Sequence, residues 1–106
     1  MDQALVIVLT AVSNDKDADF LSDVLIRSKY TACVNIIPNI KSKFIWDDKL
    51  QSTSEIILMI KTKKGYFKNI ERLIKKNHSY KLPEIICINI TDASVEYGKW
   101  ISNNMM

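Results

Sequence analysis

The stretch ACVNIIPNIKSKFIWDDKLQSTSEIILMIKT, Ala32 to Thr62, decides how the rest of the chain must fold. It reads as one long β-hairpin. In its first half the even positions Ala32, Val34, Ile36, Ile40, Phe44 and Trp46 are mostly apolar, while Asn35, Asn39, Lys41 and Lys43 fall between them. That period of two suits a strand with one buried face. In the second half Leu50, Ile56, Leu58 and Ile60 keep the even parity. A three-residue turn at Asp47, Asp48 and Lys49 would then set Trp46 opposite Leu50 and Ile36 opposite Ile60, so parity and turn agree on one register.

Arms of about 15 residues would be roughly 50 Å long if unbroken, whereas a compact chain of this size is only ~35 Å across. The hairpin should therefore overhang its own domain. Phe44, Ile45 and Trp46 near its tip would invite edge-to-edge aggregation unless another copy of the chain covers them, which predicts an oligomer. Pro38 removes a ladder donor and fits only an edge or a bulge, so a kink is expected there.

The sequence has 106 residues, 47% of them hydrophobic, enough for one core but not two. Residues 1–106 are read as one domain, without linker, repeat or low-complexity tract. Cys33 and Cys87 lie among apolar neighbours in predicted strands, where buried free thiols are expected, and a reducing, cytoplasmic location follows. The apolar run Leu5 to Val12 could pass for a signal-peptide core. Asp2 rather than Lys or Arg precedes it, however, and no small-residue cleavage site follows. No apolar run approaches the ~20 residues of a membrane span. The net charge is +3, and its basic clusters at Lys61, Lys63, Lys64, Lys75 and Lys76 are lysines without the bidentate fork of arginine, so they read as a solvated face.

Taken in order, Ala4 to Val12 has the continuous apolar character of a central strand. Ser13 or Asn14 offers a helix cap, Asp15 and Asp17 a first turn, and Ala18, Leu21, Val24, Leu25 and Ser28 one helical face. After the hairpin, Tyr66, Phe67, Ile70, Leu73, Ile74 and Asn77 return to helical spacing, stopping before His78. Pro83 forces Leu82 out of a helix, so 79–83 is a loop. Glu84 to Thr91 alternates again, and Val95, Tyr97, Trp100 and Ile101 suggest a short last helix. The fold class is α+β: the ferredoxin-like β-α-β-β-α-β order, two helices on one face of a four-stranded antiparallel sheet, with a C-terminal helix added. Ile57 and Met59 are as apolar as the even positions beside them. Two helices cannot cover both faces, so the second face is expected to pack against other subunits.

The chemistry-bearing stretch is His78-Ser79-Tyr80-Lys81-Leu82-Pro83-Glu84, a loop leading into a strand. Imidazole suits copper, zinc or nickel, and Glu84 could join His78 across a bend. Two donors fall short of the three or four that hold zinc. The plainer alternative has His78 closing the second helix at its negative end while Glu84 makes a salt bridge. Enzymatic readings are thin, since Gly65 and Gly98 make no phosphate cradle and no nucleophile has a recognisable base beside it. Ser54 to Thr62 carries no aromatic residue of the kind that stacks on RNA in domains of this topology, so nucleic acid is not an expected partner.

Several motifs together carry a resemblance: Ala32-Cys33-Val34-Asn35-Ile36-Ile37-Pro38, Trp46 at the hairpin tip, Ser54-Glu55 with Ile60-Lys61-Thr62, the His78-x-Tyr80-x-x-Pro83-Glu84 loop, and the late Tyr97 and Trp100. In this order and spacing the chain resembles the CutA divalent-ion-tolerance proteins. The resemblance implies a tight homotrimer akin to the PII signalling proteins, tolerance of divalent cations (chiefly copper), and no catalytic activity or organic cofactor. It sets His78 and Glu84 at an intersubunit site for Cu(II) or another divalent cation, with Tyr80, Lys61, Glu55 and Trp46 lining the cleft. Phe44, Ile45, Trp46, Ile57 and Met59 are the residues expected at subunit contacts. The chain departs from the pattern at Leu9, where some members have cysteine, and at Ser79, Lys81 and Asp48. The loss of a thiolate disfavours Cu(I), and Lys81 suits an anion better than a cation. The runner-up reading is thus a PII-like trimer binding a small anion or a protein in its clefts.

Overall fold

The computed structural model describes residues 3–106, and Asp2, used above to reject a signal peptide, lies outside them. The elements are β1 (Leu5–Val12), α1 (Asp15–Arg27), β2 (Cys33–Trp46), β3 (Lys49–Lys63), a 3-10 turn (Lys64–Tyr66), α2 (Phe67–Asn77), β4 (Ile86–Asn89) and α3 (Val95–Asn103). The strands form one antiparallel sheet in the order β2-β3-β1-β4, which is the ferredoxin-like topology. Asn14 caps α1 by accepting from the Asp17 N–H at 2.8 Å, and Ser94 caps α3 in the same way through Tyr97.

The core lies between α1, α2 and one sheet face. Val8 and Val12 of β1, Leu58 and Ile60 of β3, Leu21 and Leu25 of α1, and Ile70 and Ile74 of α2 are all buried together there. The periodicities above identify these residues because each pattern repeats at the pitch of its element. At the hairpin base the Thr31 hydroxyl donates to the Lys61 carbonyl and the Thr62 hydroxyl to the Tyr30 carbonyl, which satisfies two buried side chains and ties the hairpin to the end of α1.

The hairpin is as long as expected but its register differs. The turn has two residues: Trp46 pairs with Lys49 and Ile45 with Leu50. Asp47 and Asp48 both have positive φ, 52° and 61°, the geometry of the type I′ turn whose twist matches the flanking strands. The expected Ile36–Ile60 pairing is replaced by Ile36–Leu58, with a shift between Ile37 and Ile40. The bulge sits at Pro38, as that residue's missing donor requires, with Asn39 in the left-handed region at φ 62°. The extra residue reverses the facing of everything beyond it. Val34 and Ile36 point to the helices, whereas Ile40, opposite Glu55, begins a run through Ser42, Phe44 and Trp46 on the other face. The even-position stripe is therefore two stripes on two faces.

β1 accompanies β3 only from Ile56 to Lys63. Lys49 to Glu55 have β2 alone beside them, about 24 Å of overhang. The radius of gyration is 14.4 Å and the longest extent 45 Å, against about 13 Å for a compact chain of this length. On the face away from α1 and α2 lie Ile7, Leu9, Ile57 and Met59, with Ile86 and Ile88 of β4 still 47% and 44% exposed. The third helix covers only the Leu5 end, where Gly98 meets the Leu5 side chain. Both cysteines are free, but Cys33 is half-buried and Cys87 exposed rather than both buried, because β4 is an edge strand. Among the described residues no helix is long and apolar enough to cross a membrane.

Candidate functional site

The 78–84 loop is built outward from its histidine. At His78 the backbone leaves α2 and becomes extended, with φ −89° and ψ 143°, and the imidazole turns toward the end of β1. Its Nε2 lies 2.7 Å from the Ala11 carbonyl oxygen, and its Nδ1 accepts the Tyr80 backbone N–H at 2.9 Å. A carbonyl only accepts and an amide N–H only donates. Both bonds together therefore require the neutral ring with its proton on Nε2.

Tyr80 packs its ring 4.8 Å from the imidazole and donates its hydroxyl to Glu55 Oε2 at 2.8 Å. Burial, then the hydrogen bond to Glu55 and the charges of Glu55 and Asp17, push the phenol up to about 12. Ser79 donates to Asp17 Oδ2 at 3.1 Å. Three consecutive residues thus tie the loop to β1, β3 and α1.

Between this loop and the overhanging hairpin is a cavity of about 950 Å³. Ala11 closes its inner end; Ser42, Lys43, Phe44, Trp46, Gln51, Thr53 and Glu55 form the hairpin wall, and Ser79 to Leu82 with Glu84 form the loop wall. Of the expected site residues, Glu84, Tyr80, Glu55 and Trp46 line this space. His78 lies behind the wall. Lys61 is elsewhere: its Nζ donates to the Tyr97 hydroxyl at 3.3 Å and sits over that ring, which stacks on Trp100. Parity does not point to Ser42, because the bulge in β2 turns it to the cavity, whereas Gln51 and Thr53 reach it on the regular odd parity of β3 that they share with Glu55 and Ile57. Lys43, which the alternation sets between the apolar positions, also lines the cavity.

The donor set does not fit a metal ion held by one chain. Among the described residues no three His, Cys, Asp or Glu side chains come together as a ligand group, and both nitrogens of His78 are already engaged with the backbone. In the single chain His78 therefore bonds the Ala11 carbonyl and the Tyr80 N–H, while Glu84 lines the cavity. Nor does Glu84 make the alternative salt bridge: the ion pairs among the described residues join Glu71 to Lys68 and Lys75 on α2.

Comparison with known proteins agrees with the motifs. The family model of the CutA1 divalent ion tolerance protein matches residues 6–104. Protein CutA, chloroplastic, from Arabidopsis thaliana is 35% identical over 99 residues, which are 93% of this chain and 54% of that protein, so the chain spans about half the length of this relative. The divalent-cation tolerance protein CutA of Thermus thermophilus is 30% identical over 98 residues, 92% of this chain and 95% of that protein. The crystal structure of CutA1 from Oryza sativa superposes with a TM-score of 0.95 at 31% identity, covering 99% of this chain and 96% of that one. These similarities name a tolerance to ions and no reaction. With motif order, topology and loop geometry in agreement, the chain belongs to the CutA1 divalent ion tolerance family.

Proposed function

We propose that this protein acts as a cytoplasmic homotrimer in the response to divalent cations, with the cavity between hairpin and loop as a ligand cleft completed by a neighbouring copy. The observation that carries the reading is the pairing of an uncovered apolar sheet face with a hairpin that overhangs its own domain by about 24 Å. Ile57 and Met59 on that face, and Phe44, Ile45 and Trp46 near the tip, are the contacts proposed between copies. Two free thiols suit the reducing compartment. Within the cleft Glu84 is the carboxylate proposed to meet Cu(II) or another divalent cation, with further donors from the neighbouring copy.

One observation favours a second reading, a PII-like trimer that takes a small anion or a protein segment. Lys43 and Lys81 line the cavity, while one of its two carboxylates, Glu55, is already bonded to Tyr80. Calorimetric titration of the purified protein with Cu(II) and with inorganic phosphate, beside Glu84→Gln and Lys81→Glu and with mass followed by light scattering, separates the two. Saturable copper binding lost in Glu84→Gln supports the cation reading. Phosphate binding lost in Lys81→Glu, with no copper binding, moves the conclusion to the anion reading. A chain that stays single in solution overturns both, because the cleft then lacks the part that a neighbouring copy is proposed to add.

A further inference from the structure

His78, the chain's one histidine, holds the cavity wall without lining it. Its ring is sandwiched between a fixed acceptor and a fixed donor, the Ala11 carbonyl and the Tyr80 N–H. Both partners belong to residues that line the cavity. Beyond Tyr80 the chain of bonds continues to Glu55 on the hairpin, and beside it Ser79 reaches Asp17 on α1. The ring therefore sits at the root of the bonds that tie the loop to three elements.

We propose that His78 is a proton-sensitive latch on the cleft: neutral, it holds Tyr80 on Glu55 and the loop against the hairpin; protonated, it releases them. The asymmetry of its two bonds gives the direction. A second proton goes to Nδ1, the only nitrogen with a lone pair. The bond from Nε2–H to Ala11 survives and gains charge assistance. At Nδ1, two N–H donors then face each other across 2.9 Å, and the Tyr80 segment must move away. Once Tyr80 leaves, the Glu55 carboxylate, which already lines the cavity, loses its donor and is free to bond a ligand. The charged groups around the ring are Asp17 from α1, Glu55 from β3, and Lys81 and Glu84 from the loop itself, with Lys43 of β2 across the cavity; β1 offers its carbonyl, and the last turn of α2 carries Lys75 and Lys76. Release would change the charge seen by a ligand whether that ligand is a cation or an anion, so the latch does not depend on the choice between the two readings above.

The test follows His78 ring shifts and amide hydrogen exchange by NMR through an acid titration, with protection corrected for intrinsic rates. Tyr80 amide protection should fall about tenfold, the size that losing one hydrogen bond gives, in step with ring protonation. Val8 and Leu58 in the core should stay protected throughout. His78→Asn supplies a side-chain oxygen two residues before the Tyr80 N–H but takes up no proton, and should show no such step; if that variant fails to assemble, the wild-type titration decides alone. Tyr80 protection unchanged through ring protonation, the same step in His78→Asn, or simultaneous loss at Val8 and Leu58 would each overturn the latch.

Discussion

Tyr80 joins the loop to the hairpin through a single hydroxyl, and its titration reports that bond. Its ordinary value of 10.0 is raised to about 12 by burial and by Glu55. Between those values the unfolded chain has lost the phenolic proton while the folded chain keeps it. The contribution is thus fully present below pH 10.0 and is lost as pH rises through about 12. Tyr80→Phe should cost about 1–2 kcal/mol at neutral pH, and that share of the alkaline loss should vanish; urea midpoints measured on both sides of pH 10.0 check both points. The motif alone brought Tyr80, Glu55, Glu84 and Trp46 to one site. It could not show that His78 spends both nitrogens on backbone groups, because one of those groups, Ala11, is remote in the chain and only the folded loop brings it near.

At the scale of the element, hydrophobic period places every strand and helix, but it overextends the last strand, Glu84 to Thr91 in the alternation and Ile86–Asn89 in the fold. Repetition carries that information, and local exceptions break it. The missing donor of Pro38 predicts a kink or bulge, but alternation alone does not carry the reversal of facing beyond it, so parity groups Phe44 and Trp46 with Val34 and Ile36. The turn differs for a similar reason: two aspartates in left-handed backbone leave no mark on the alternation. That turn is improvable. Gly at the second turn position removes the steric cost of φ 61°, so Asp48→Gly should raise stability by about 1 kcal/mol, seen as a higher urea midpoint with unchanged m-value. An unchanged or lower midpoint would mean that Asp48 has a compensating contact.

For the whole molecule the deciding quantity is apolar area without a cover. Ile86 and Ile88 are almost half exposed beside Leu9 and Ile7, on the sheet face that also carries Ile57 and Met59 and that neither α1 nor α2 covers. A charge in the middle of that face should be tolerated by the chain and not by its assembly. Ile57→Lys is expected to reduce the light-scattering mass to that of a single chain while far-ultraviolet circular dichroism is kept. Retention of the wild-type mass would remove this face from the proposed interface and leave the hairpin tip as its only candidate.

The strand order β2-β3-β1-β4 also has a consequence in time. β1 precedes the hairpin in the chain, yet one of its two neighbours, β4, is made only after the hairpin and α2. The hairpin between them is local in sequence and can close as soon as Lys63 has emerged, after which β1 pairs along β3; only the β4 edge must wait until Asn89 has emerged, since long-range pairing is slow to form. The nascent chain would thus pass through a three-stranded stage with one side of β1 open. In this stage the Ile7 and Leu9 flank lacks Ile88 and Ile86, and a chaperone that reads exposed β-edges would find its substrate there.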